Sequence, residues 1–75
     1  MPFLTAKARV LRFYNCTEKP DKLVGKTFEI EDTCYVIESF NDALVEGVGI
    51  SGTNEGGYTG VSWSKLAKML NLPLN

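Results

Sequence analysis

With 75 residues, 44% apolar and 23% charged, the chain suffices for one domain (residues 1–75) around one small core and is too short for a complete doubly wound nucleotide-binding domain. It has no histidine and only two cysteines, Cys16 and Cys34, which excludes Cys-His dyads, Ser-His-Asp triads and an ordinary zinc site. A net charge of −1, no apolar run near 18 residues and no basic lead before a long apolar stretch point away from membrane spans and secretion, so a cytoplasmic protein is expected.

The first segment, Leu4 to Tyr14, carries two patterns. Ala6, Ala8 and Val10 alternate with Thr5, Lys7 and Arg9, as in a half-buried strand, and the β-forming end Val10-Leu11-Arg12-Phe13-Tyr14 favours that reading, with a bulge at Val10-Leu11. Leu4, Ala8 and Leu11 also share a helical face among good helix formers, so an N-terminal helix is the alternative. Asn15 to Lys22 reads as a loop through Asn15, Thr17, Pro20 and Asp21.

Three strands follow. Lys26 to Glu31 alternates cleanly, with Phe28 and Ile30 inward. Asp32-Thr33 reads as a short turn. Cys34 to Phe40 is the richest β-former run, and Asn41-Asp42 suits a two-residue hairpin, since both residues tolerate positive φ. Ala43 to Ile50 reads as the returning strand, giving an antiparallel meander. It contains Gly47-Val48-Gly49-Ile50-Ser51-Gly52, a literal G-x-G-x-x-G. No helical spacing follows it, and no Asp or Glu occurs after Glu55 to serve as the acidic ribose ligand, so dinucleotide binding is not expected.

Ser51 to Gly60 reads as a flexible glycine-rich loop, and Gly60-Val61-Ser62 as a short last strand. Trp63, Leu66, Ala67 and Leu70 form one helical stripe, with Ser62 or Ser64 as N-cap, Asn71 as the stop and Pro73 preventing continuation. The expected fold is mainly β with one short C-terminal helix: a small SH3-like or OB-like partly open barrel of four or five antiparallel strands. An α+β roll with an N-terminal helix is the alternative.

Charge is sorted along the chain. Residues 1–26 carry six basic and two acidic side chains; residues 27–56 carry seven acidic side chains and no basic one. The acidic block contains Glu29, Glu31, Asp32, Glu38, Asp42, Glu46 and Glu55, expected on the outer face and turns of the meander, with Glu29 and Glu31 on one strand face. The first six, with Tyr58 beside the glycine loop, are the candidate protein-binding residues, whereas Trp63 is expected to anchor the helix in the core. Lys7, Arg9 and Arg12, with Tyr14 close behind, form an alternative single-stranded nucleic-acid site of counter-charges and a stacking ring.

Cys16 and Cys34 read as small apolar residues. A disulfide between them would close a moderate loop, but a reducing compartment disfavours it. No catalytic, metal or cofactor site is expected. Small size, segregated charge and the lack of catalytic clusters are similar in general style to accessory or inhibitor proteins of bacteriophages. The resulting expectation is a non-enzymatic module docking on a protein partner through an acidic β-surface, with single-stranded nucleic-acid binding as the alternative.

Overall fold

The computed structural model describes residues 5–72. It is mainly β: four antiparallel strands form a curled half-barrel, flanked in sequence by a helix at each end. In chain order these are α1 (Ala6–Phe13), a 3₁₀ turn (Pro20–Leu23), β1 (Thr27–Ile30), β2 (Thr33–Phe40), β3 (Leu44–Gly52), β4 (Tyr58–Ser62) and α2 (Trp63–Met69). The sheet order β1-β2-β3-β4 is the expected meander, and the open shape fits a small, partly open barrel.

The N-terminal segment is a helix, which corrects the strand expected there. Thr5 caps it by accepting a hydrogen bond from the Ala8 amide at 3.1 Å. Asn15 ends it at φ 62, while the Cys16 amide reaches back to the Leu11 carbonyl and the Asn15 amide to that of Arg12. Helical winding puts Val10 and Leu11 into the core and packs α1 on α2. The alternation of Ala6, Ala8 and Val10 was therefore incidental, and the bulge expected at Val10-Leu11 does not exist. Leu4 and Pro73 lie outside the described residues.

α2 uses the same devices. Ser62 accepts from the Lys65 amide, Asn71 sits at φ 58, and the Leu72 and Asn71 amides bond to the Ala67 and Lys68 carbonyls. Trp63, Leu66 and Ala67 are buried as the stripe predicts. Trp63 is the core anchor: its indole N–H donates to the Asn41 carbonyl at 2.8 Å, and its ring meets the face or edge of Phe40 at 5.7 Å.

Turn chemistry differs in detail from expectation. The β2–β3 connection has three residues, Asn41 to Ala43, and neither Asn41 nor Asp42 adopts positive φ. Instead the Asn41 side chain accepts from the Ala43 and Leu44 amides, closing the turn with its own oxygen. The β1–β2 turn is Glu31-Asp32, with Glu31 at φ 55, and Thr33 already belongs to β2. Glu29 and Glu31 consequently do not share a strand face.

The glycine-rich segment between β3 and β4 is not the loose loop its composition suggests. The Gly49 amide bonds to the Gly57 carbonyl and the Gly56 amide to the Gly49 carbonyl, while Asn54 donates from its backbone to Thr33 and from its side chain to Tyr35. A Cβ on Gly49 would collide with the Asn54 carbonyl oxygen, and one on Gly52 with that of Asp32, so Gly49 lets the loop fold flat against β3 and Gly52 lets the end of β3 approach the β1–β2 turn.

The core gathers Val10, Leu11, Leu23, Phe28, Tyr35, Ile37, Val45, Val61, Trp63 and Leu66 between the helices and one face of the sheet. Full enclosure of Leu23, Ile37 and Leu66 contributes about 1.5–3 kcal/mol each. Arg9 is the exception. It is 8% exposed, and its Nη2 is buried with no hydrogen-bond partner among the described residues. An unsatisfied buried polar group costs about 1–3 kcal/mol. Arg9→Met should therefore raise stability by roughly 1–2 kcal/mol, read as a higher urea midpoint with an unchanged slope. A lower midpoint would show that the guanidinium is satisfied in solution.

Candidate functional site

The sheet's second face is the molecule's most informative surface. Side chains alternate along each strand, so Thr33, Tyr35 and Ile37 point to the core while Cys34 and Val36 point away from it. Leu44 and Val48 likewise point away on β3, opposite Val45. Val36, Val48 and Leu44 are half-buried, yet they do not pack on the core cluster. Val36 and Val48 stand side by side on a face that neither helix covers, with Leu44 further along it beside Gly60.

The strand registers order this face into a row. Val36 is opposite Thr27 on one side and Val48 on the other, and Val48 is opposite Tyr58, which is 76% exposed. Three strand spacings make the row about 14 Å long. Two register shifts, at Cys34/Tyr35 and Ile37/Ser39, each leave one residue without an opposite number. The first is Ile50, half-exposed beside the row, and the second is the exposed Glu38.

Three carboxylates lie beside the apolar row. Glu29 flanks it opposite Cys34, and Glu46, opposite Gly60, accepts from the Ser39 hydroxyl at 2.9 Å. Glu38 and Glu46 line a cleft of about 330 Å³ with Tyr58, Thr59 and Gly60. Glu31 and Asp32 occupy the β1–β2 turn, where Asp32 accepts from the Thr53 hydroxyl. Asp42, in the β2–β3 turn, pairs with Lys7 at 2.9 Å, the one ion pair among the described residues, and this fully exposed carboxylate makes it a weak contact. The structure thus brings Glu38, Glu46 and Tyr58 together, sets Glu29 beside the row, and leaves Glu31, Asp32 and Asp42 apart on turns.

The acidic residues were expected to compose the outer face; its centre is apolar instead. Sequence reasoning missed Val36, Val48 and Ile50. The signal was present in Cys34-Tyr35-Val36-Ile37, an unbroken apolar run of the kind that serves strands covered on both faces.

The four residues of the nucleic-acid alternative do not form one platform. On α1, Arg9 and Arg12 lie about 200° and 140° around the axis from Lys7. Lys7 rests its ammonium 5.7 Å from the Trp63 ring centroid and 5.9 Å from that of Phe40. Arg9 is buried, and Arg12 alone of the three cations is exposed. Tyr14 is turned to the sheet, where its hydroxyl donates to the Thr27 carbonyl at 2.7 Å.

Cys16 and Cys34 are both free thiols. Cys16 is buried and donates to the Tyr14 carbonyl at 3.3 Å, while Cys34 is half-buried on the outer face. Among the described residues no three Cys, Asp or Glu side chains are placed to hold a metal ion, and no helix is long and apolar enough to cross a membrane. No protein-family model, curated protein or solved structure matches the chain.

Burial pushes the Tyr14 phenol above its usual value of 10.0, and the nearby Cys34 adds to the rise. A raised folded-state value means that the folded protein holds this proton more tightly than the unfolded chain. Its contribution is complete below pH 10 and is lost as pH rises through the folded-state value. Tyr14→Phe should cost about 0.5–1.5 kcal/mol at neutral pH through the lost hydrogen bond, and should flatten the decline in stability above pH 10. Urea melts of both proteins across alkaline pH test this, and parallel curves would contradict it.

Proposed function

We propose that this chain is a small, non-enzymatic protein-binding module of the accessory or inhibitor type, docking through its outer sheet face. The observation that carries this reading is the row Val36–Val48–Tyr58, turned away from the core and left uncovered by either helix. Apolar centres inside polar rims recur in protein interfaces, and a largely exposed tyrosine is a frequent hot spot. The carboxylates beside the row add charge selectivity, favouring a partner with a basic rim and speeding encounter with it. The acidic β-surface expected from sequence enters as the border of the interface, with the aliphatic row at its centre.

The test is capture of a saturable partner by the immobilised chain at low and high salt, with surface variants in parallel. Tyr58→Ala should weaken retention about 30-fold or more, as for a hot-spot loss near 2 kcal/mol, while changing folding stability by less than about 0.5 kcal/mol. Val48→Glu should also abolish retention, and higher salt should weaken the wild-type complex. A partner held equally by both variants, or no saturable partner at all, would overturn the reading.

A further inference from the structure

The sheet has two edges, and only one is closed. Two backbone contacts set the phase of the hydrogen-bond ladder: the Gly49 amide bonds to the Gly57 carbonyl, and the Gly56 amide to the Gly49 carbonyl. Gly49 therefore directs its backbone groups toward β4. By the alternation of an antiparallel ladder, so do Gly47 and Val45, whose register partners are Thr59 and Val61. The intervening residues of β4, Tyr58 and Gly60, present their N–H and C=O groups outward, where no strand lies among the described residues.

The opposite edge is treated differently. β1 has only four residues, and the same alternation, set by the bonds between Ile37 and Gly25 and Lys26, turns Thr27 outward. Its carbonyl is already taken by the Tyr14 hydroxyl. Proteins usually blunt an open edge with lysine, proline, a bulge or a covering segment. Residues 58–62, Tyr-Thr-Gly-Val-Ser, contain no charge and no proline, and the register shifts all fall between β2 and β3.

We infer that the β4 edge accepts an extended, lysine- or arginine-bearing segment of a partner protein as a fifth strand. This rests on the protein-binding reading above and specifies the form of the partner. Charge complementarity selects the occupant. On an added strand, the residue facing Gly60 projects its side chain over the outer face, where glycine offers no obstruction. Glu46 lies opposite Gly60 on the next strand, so its carboxylate is about two strand spacings, roughly 10 Å, from the incoming backbone, with Glu38 of the same cleft one strand further on. A long basic side chain crosses that gap with its aliphatic stem along Gly60 and the Tyr58 ring beside it. Main-chain bonds to Tyr58 and Gly60 supply affinity, and the carboxylate cleft supplies selectivity. A second copy of this chain offers a neutral β4 segment to the cleft, with no cation for Glu38 or Glu46.

The probe is a short, end-capped peptide of alternating lysine and valine, titrated into the ¹⁵N-labelled protein while amide hydrogen exchange is followed. Binding should slow exchange at Tyr58 and Gly60 by about tenfold or more. The same peptide with its lysine backbone nitrogens N-methylated keeps its charge but cannot donate to the ladder, and should bind at least about tenfold more weakly. A glutamate–valine peptide should not bind, and Glu46→Lys or Gly60→Pro should weaken the lysine–valine peptide about tenfold or more. Should Gly60→Pro impair folding, the N-methylated peptide makes the same test on the unaltered protein. Equal binding of the two lysine peptides would overturn strand addition, as would slowed exchange at sites other than β4. Concentration-dependent protection of Tyr58 and Gly60 without peptide would also overturn it, because a second copy would then occupy the edge. Peptide shifts confined to Val36 and Val48 would sink the edge proposal while leaving the docking face intact.

Discussion

Two helices of eight and seven residues can cover one side of a four-stranded sheet and no more, and the rest of this structure follows from that limit. Both pack on the same face, where Val10, Leu11, Trp63, Leu66 and Ala67 meet Phe28, Tyr35, Ile37, Val45 and Val61. Among the described residues no further element closes the second face. Its aliphatic residues there lie side by side, partly dry and without a layer above them.

The ends of the half-barrel are tied by different chemistry. At one end Trp63 hydrogen-bonds the Asn41 carbonyl, packs on Phe40 and carries the Lys7 ammonium near its ring, so the start of α2, the β2–β3 turn and α1 are held in one contact group. At the other end the Asn54 loop folds onto β3 and reaches Thr33 and Tyr35, which is possible because Gly49 and Gly52 have no side chains. Gly47 has a related role in the middle of the sheet. A Cβ there would stand 3.2 Å from the Phe28 ring, which lies stacked on Tyr35 and reaches across toward β3. The G-x-G-x-x-G run is thus explained by close packing inside a β-sheet, with no phosphate cradle at a helix start.

Much of this was legible in the amino-acid order, and the failures have physical causes. The meander, the inward placement of Phe28 and Ile30 and the Trp63 stripe follow from periodicity of 2 and 3.6. The first segment misled because Ala6, Ala8 and Val10 satisfy the strand period by chance. Thr5 and Asn15 were the better guide, bracketing a helix as Ser62 and Asn71 bracket the second. The Asn41 turn was placed correctly by composition, but its mechanism, a side-chain oxygen closing on two amides, depends on geometry that residue preferences do not resolve. The apolar outer row escaped notice because the acidic residues between its members suggested an ordinary polar face. Only the strand registers show that Val36, Val48 and Tyr58 line up.

The claim at the centre of this account is that one sheet face is sealed and the other open, and the valines provide an internal comparison. Val45 and Val61 point to the core, whereas Val36 and Val48 point away from it. Methyl relaxation in the presence of a soluble gadolinium chelate reads their exposure directly in the free protein. Strong enhancement at Val36 and Val48 with little at Val45 and Val61 is the expected result. Equal shielding of all four, or enhancement at Val45 and Val61 instead, would contradict a one-sided core and remove the surface on which recognition is argued.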